Sequence, residues 1–213
     1  MIRIVQQNDW VVFRLIACFF LYVLMLHSIK RDSSLRDFLT QKFPDSVNNF
    51  LSWMIISVVF SMVLAAFISP YIPVIPIKVR SLSLFGFELN KFGFTLVVIF
   101  IFYFIRNLIT YLFYAGTGSL KKWQIFYFSV SKFYFVMSII LMIFCVANFF
   151  YTLDQSQAFS AYFVGFSGVI IFKLIYYLAH PNNILPSKWY YKFLYICTLQ
   201  IVPVLVLWKV LFF

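Results

Sequence analysis

Acidic side chains are scarce in this sequence and confined to its margins. Asp and Glu number six against seventeen Lys and Arg. All six, Asp9, Asp32, Asp37, Asp45, Glu88 and Asp154, read as loop or boundary residues outside the long apolar runs. Proton pumps and cation transporters depend on an intramembrane acid or His relay, and hard-metal sites depend on carboxylate oxygens. The shortage argues against both classes. Cysteine is equally sparse: Cys18, Cys145 and Cys197 fall in separate apolar runs, which suits buried packing thiols better than a disulfide or a metal site. Catalytic signatures are missing too. There is no nucleophile elbow, no His–Glu metal pair on a helix and no aspartyl pair. The stretch "AGTGSLKKW" imitates a phosphate loop but lacks the Walker spacing and a preceding strand, so Gly116 and Gly118 read as a turn. His27 and His180 stand at the ends of apolar runs, where interfacial residues are a simpler reading than a haem held between helices. No catalytic residue, metal or cofactor is expected, and no enzyme activity is assigned.

What the chain has in abundance is apolar surface. Hydrophobic residues make up 64% and charged residues 11%, against roughly a quarter charged in soluble domains. Windows of about 20 residues, the length that crosses ~30 Å of hydrocarbon, mark runs at 10–29, 50–76, 93–115, 125–150, 158–180 and 191–213. The expectation is an all-α, polytopic membrane helix bundle of about six transmembrane helices, one transmembrane domain over 1–213, set in a lipid bilayer. The short connections leave no room for a soluble catalytic domain. The first run follows a polar start with Asp9 and Trp10 and meets no small-x-small cleavage site, so it reads as a retained helix. A net charge of +11 would suggest nucleic acid in a soluble protein. Here basic loops anchoring helices against anionic lipid explain it, and no nucleic-acid partner is expected.

Loop composition orients the helices. Lys30, Arg31, Arg36, Lys42, Lys121, Lys122, Lys188 and Lys192 gather on one side, which the positive-inside rule makes cytoplasmic. Both termini are then outside. In "KRDSSLRDFLTQKFPDS", Leu35, Phe38, Leu39 and Phe43 recur at helical spacing between Ser34 as a cap and Pro44 as a stop. An interfacial helix over 34–43 fits that pattern, as does a solvated connector. Pro70, Pro73 and Pro76 should end regular helix near Ser69.

Buried cations share a level. With that topology, Arg106, Lys132 and Lys173 each lie roughly 10–14 Å inside the cytoplasmic boundary at about 1.5 Å per residue, and Gln200 reaches a similar depth. Tyr103, Asn107 and Thr110 surround Arg106 at helical spacings. A charge near the bilayer centre costs roughly 2.5–3.5 kcal/mol on insertion scales. Three readings follow: a cluster that receives an anion such as a lipid phosphate, one that pairs with a carboxylate on another protein's transmembrane helix, or separate cations snorkelling to headgroups and backbone carbonyls. The candidate ligand- or partner-binding set is Arg106, Asn107, Lys132, Lys173, Tyr103, Thr110 and Gln200. Small residues mark packing faces: Ala161 with Gly165, and Ser131, Ser138 and Cys145 at every seventh position.

The start "NDWVVFRLIACFFL" and the end "FLYICTLQIVPVLVLWKVLFF" resemble the two ends of a Bacteroidota membrane family catalogued as domain of unknown function 4271. The likeness runs along the whole chain and includes the Cys–Thr–Leu–x–Ile–x–Pro pattern from Cys197 to Pro203. Family members are expected often to carry Glu where this chain has Gln200. The resemblance implies no transferable activity, but it does imply a multi-pass protein of the bacterial inner membrane, in a phylum with its own envelope-export machinery. Together these readings favour a non-enzymatic accessory subunit of a larger envelope complex, for protein export or membrane insertion, with other integral membrane proteins as partners. The alternative is a lipid- or anion-handling protein that binds a phosphorylated ligand at the basic cluster.

Overall fold

The computed structural model describes residues 9–29, 35–40, 43, 49–72, 83–84, 87–88, 90–151, 155–179, 185 and 188–212. The chain is all-α. Its helices are α1 (Asp9–Ile29), α2 (Leu35–Thr40), α3 (Asn49–Ile68), α4 (Lys91–Gly116), α5 (Leu120–Phe150), α6 (Gln155–Ala179), α7 (Trp189–Leu194) and α8 (Val202–Phe212). A π-helical segment, Tyr195–Ile201, joins α7 to α8, so Trp189–Phe212 forms one continuous apolar run. Among the described residues six helices are long and apolar enough to cross a membrane, which makes this a multi-pass membrane protein. A two-residue antiparallel pairing of β1 (Ser83–Leu84) with β2 (Phe87–Glu88) precedes α4. No periodicity in the sequence announces that pairing.

Contacts divide the chain into two compact units, residues 1–67 with 130–152, and residues 68–129 with 153–213. In the first unit α1 buries Val11, Cys18, Tyr22 and Met25, positions seven, four and three apart that fall on one helical face. Against them α5 presents Ser131, Phe135, Ser138 and Cys145, all buried. The two helices run antiparallel, with Trp10 edge-on to Phe149 at 5.5 Å and Tyr22 to Phe135 at 4.8 Å. Small residues let the backbones approach closely, and the Tyr22 and Ser138 hydroxyls share a hydrogen bond. Beside them α3 sets Phe60 against Tyr134 and Phe67 against Phe144, while the Cys145 thiol reaches the Val63 carbonyl at 3.7 Å. The thiols of Cys18 and Cys145 are free and buried.

The described helix α2, Leu35–Thr40, lies inside the 34–43 expected from its spacing. Phe38 is buried, edge-on to Phe135 at 5.2 Å, whereas Leu39 is exposed. Ser34, Lys42 and Pro44 lie outside the described residues. Regular helix in α3 stops at Ile68 and tightens into a 3-10 turn over Ser69–Tyr71, because Pro70 has no N–H to donate and restrains the residue before it.

The second unit has its apolar core where Ile72, Phe94 and Leu211 bury against Ile68, Val98, Leu207 and Phe212. Lys91 donates to the Ile72 carbonyl at 3.0 Å, closing the excursion between them. At the other end of α4 the chain turns through Gly118 with φ of 67°, a left-handed conformation that glycine adopts without a Cβ penalty. Ser119 and Gly118 return their N–H groups to Tyr114 and Ala115, so the phosphate-loop look-alike is a helix ending.

Candidate functional site

On α4 the positions 103, 106, 107 and 110 fall on one stripe. Tyr103, Arg106 and Asn107 are half-buried and Thr110 is buried, while Phe104, Ile105, Leu108 and Ile109 are exposed. The polar stripe therefore faces protein and the apolar one faces outward, the arrangement that hydrocarbon requires. Thr110 donates to Arg106's own carbonyl at 2.8 Å, four residues back.

Arg106 Nη2 donates to Gln200 Oε1 at 2.6 Å, and Gln200 Nε2 donates to Tyr195 Oη at 2.7 Å. Gln200 is 4% exposed and Tyr195 fully buried. The amide is thereby fixed at both ends, its oxygen toward a cation and its nitrogen toward a phenol. Tyr195 is held in turn by Phe113 at 5.6 Å, Phe126 at 5.7 Å and Tyr114 at 6.1 Å.

Backbone irregularity makes this arrangement possible. In an α-helix, at about 100° per residue, side chains five apart point ~140° away from each other. The π segment closes bonds between groups five apart instead, as Val202 N–H does with the Cys197 carbonyl. Tyr195, Leu199 and Gln200 then share the buried face. A cause is visible in the sequence: Pro203 has no N–H, and in an α-helix its ring would press on the carbonyl four residues back, that of Leu199. Thr198 steadies the entry by donating to Leu194 at 2.6 Å.

Lys173 is buried on α6, its amine 5.6 Å from the Tyr177 ring centre. That ring stands edge-on to Phe126 at 5.3 Å, and Phe126 to Tyr195 at 5.7 Å. A continuous row of side chains thus runs from Lys173 through three rings to Gln200 and Arg106. Lys132 belongs to the other unit, where its amine donates to the Leu39 carbonyl at 2.9 Å, one of the carbonyls that a helix leaves open at its C-terminal end. Of the sequence candidates, the structure brings Arg106 and Gln200 into contact, sets Thr110 on the Arg106 carbonyl and joins Lys173 through rings. Sequence reasoning missed Tyr195. It lies five residues before Gln200, and only the π turn makes that spacing a contact.

The buried row of this unit holds two cations, Arg106 and Lys173, in helices that carry no carboxylate, since no Asp or Glu occurs over 89–153 or 155–213. Arg106 offers a planar fork of donors suited to carboxylate or phosphate oxygens, and Lys173 a compact point charge. Such a site can bind an anion or orient an acidic side chain.

No curated protein and no solved structure matches the chain. The model of the family described as a domain of unknown function (DUF4271) matches residues 11–211, so the chain belongs to that family.

Proposed function

We propose that this protein is a non-enzymatic accessory subunit of a larger complex in the bacterial inner membrane, with protein export or membrane insertion as its setting. The supporting observation is the charge balance of the second unit: Arg106 and Lys173 join one buried polar and aromatic row in helices without a carboxylate. An intramembrane cation of this kind is a functional feature by default, and an acidic residue on a neighbouring transmembrane helix would match it in charge. The spanning windows of α4 and α6 are 11% buried against 56% for α3, so both carry apolar faces that a partner helix could cover. Purification in a gentle detergent followed by mass spectrometry should recover a stoichiometric membrane partner that is lost from Arg106→Ala. A monomer carrying bulk lipid alone would overturn the proposal.

The second reading is a lipid- or anion-handling protein. Arg106's bond to Gln200 favours it, because the amide orients a planar fork of donors suited to phosphate oxygens. Native mass spectrometry separates the two: this reading requires a phosphorylated lipid that dissociates from Arg106→Ala, and an unchanged lipid profile removes it.

A further inference from the structure

We propose that the π turn at Tyr195–Ile201 is a register switch, coupling an anion at Arg106 to rotation of α8. The inference rests on Arg106 as an anion site, whether the oxygens come from a lipid phosphate or a partner's carboxylate, but the coupling itself is tested without any ligand.

The turn is one backbone arrangement, and the α register is its alternative. Pro203 withholds an N–H in either register, so the usual helical ladder has less to offer here. Beyond the ring of Pro203, which disfavours the α register at the Leu199 carbonyl, the π form is held by the pair of bonds on Gln200, from Arg106 to its oxygen and from its nitrogen to Tyr195. The Arg106 bond is charge-assisted, about twice as strong as a neutral one. An anion that takes Nη2 removes it and leaves Gln200 with a neutral bond to Tyr195.

The consequence reaches the far end of α8. If the turn relaxes to α, everything after it rotates by about 100° and moves ~1.5 Å relative to α7. Leu207, Leu211 and Phe212 would leave their packing on Ile72, Phe94 and Val98. Trp208 would leave Phe163, whose ring centre is 5.2 Å away. Packed interfaces of this kind shift between discrete arrangements rather than deforming smoothly, so two registers form a switch. Trp208 sits on the moving element and reports on it directly.

The test uses the full chain with Trp208 as its only tryptophan, Trp10, Trp53, Trp123 and Trp189 being replaced by Phe, in phosphatidylcholine nanodiscs. Arg106→Ala should shift Trp208 emission and its quenching by lipid-borne quenchers with no anion added. Gln200→Leu should do the same, and it replaces Arg106→Ala if that variant fails to fold. Phosphatidic acid should produce the shift in the parent and not in Arg106→Ala. Deleting Thr198 removes the extra residue of the π turn while keeping α8 in register, so that chain should show parental Trp208 emission and no response to Arg106→Ala. If both substitutions leave Trp208 unmoved, or if the deletion chain responds like the parent, the switch is refuted. A shift with the substitutions but none with phosphatidic acid supports the coupling and removes the phosphate reading of the site.

Discussion

Between the helices of the first unit the interhelical contacts are small and neutral: the Tyr22 and Ser138 hydroxyls bond, and the Cys145 thiol meets a backbone carbonyl. Two of its described cations are met by a ring and a carbonyl, Arg14 lying 4.4 Å over Trp10 and Lys132 ending α2. In the second unit a guanidinium bonds a side-chain amide inside the helix set, and the helix carrying that amide departs from α geometry to present it. The first unit is organised by regular repeats that bring small residues together. The second is organised by an irregularity that brings two residues together across 94 positions. Close packing alone accounts for the one, whereas the other spends backbone regularity on placing a polar group, as π turns at functional sites do.

Substitutions can break or sharpen that contrast. The largest effect is expected for Tyr195→Ala, which empties the space among Phe113, Tyr114 and Phe126 and should cost about 3–5 kcal/mol, as large-to-small core changes do. Equilibrium unfolding in mixed micelles measures the loss. Hydrogen exchange should show α7 and α8 deprotected while α1 and α3 keep their protection; equal loss in all four would dissolve the distinction between the units. Next comes Gln200→Leu, which leaves Arg106 without its amide acceptor and should cost about 1.5–3 kcal/mol, the range for bonds to charged groups. Gln200→Glu should instead match or exceed the parent, because a carboxylate would face the guanidinium. Equal destabilisation by both would show that the Arg106 bond contributes little.

Smaller effects belong to the first unit. Ser138→Ala removes the Tyr22 contact and should cost about 0.6 kcal/mol, the average for interhelical hydrogen bonds in a membrane, read from the same unfolding curves. Lys132→Met should change global stability least. It removes the bond at Leu39, so faster exchange or proteolysis confined to 35–40 is expected, with α4 and α7 unchanged. Exchange spreading into those helices would give Lys132 a wider role than holding α2.

How much of this was legible follows from the same contrast. Apolar runs announce the six helices, because length and composition alone decide what can span hydrocarbon. Ser131, Ser138 and Cys145 announce a buried face, since a seven-residue spacing keeps to one side of a helix. A similar signal at Ala161 and Gly165 does not, for both are exposed, and a Cβ added at Gly165 meets nothing within 4 Å. Spacing shows that a face permits contact; whether a helix covers it depends on distant sequence. Arg106 and Gln200 can be given a common depth, but their bond depends on rotation about each helix axis. For Gln200 that rotation is reset by the π turn, whose one local sign is Pro203.

One dimension of α5 sets a further condition on the membrane around this protein. With 31 residues at about 1.5 Å each, the helix is ~46 Å long, against ~30 Å of hydrocarbon. Standing upright it does not fit. A lean large enough to submerge it would exceed the usual range for such helices, roughly 0–40°. Lys121 and Lys122 in its first turn resist being drawn under. In a bilayer of that thickness the surplus length would stand clear of the hydrocarbon on the side of its N-terminus, where the two lysines lie. In a thicker bilayer it stands shorter, and in a thinner one taller, so its height above the lipid is a gauge of local membrane thickness.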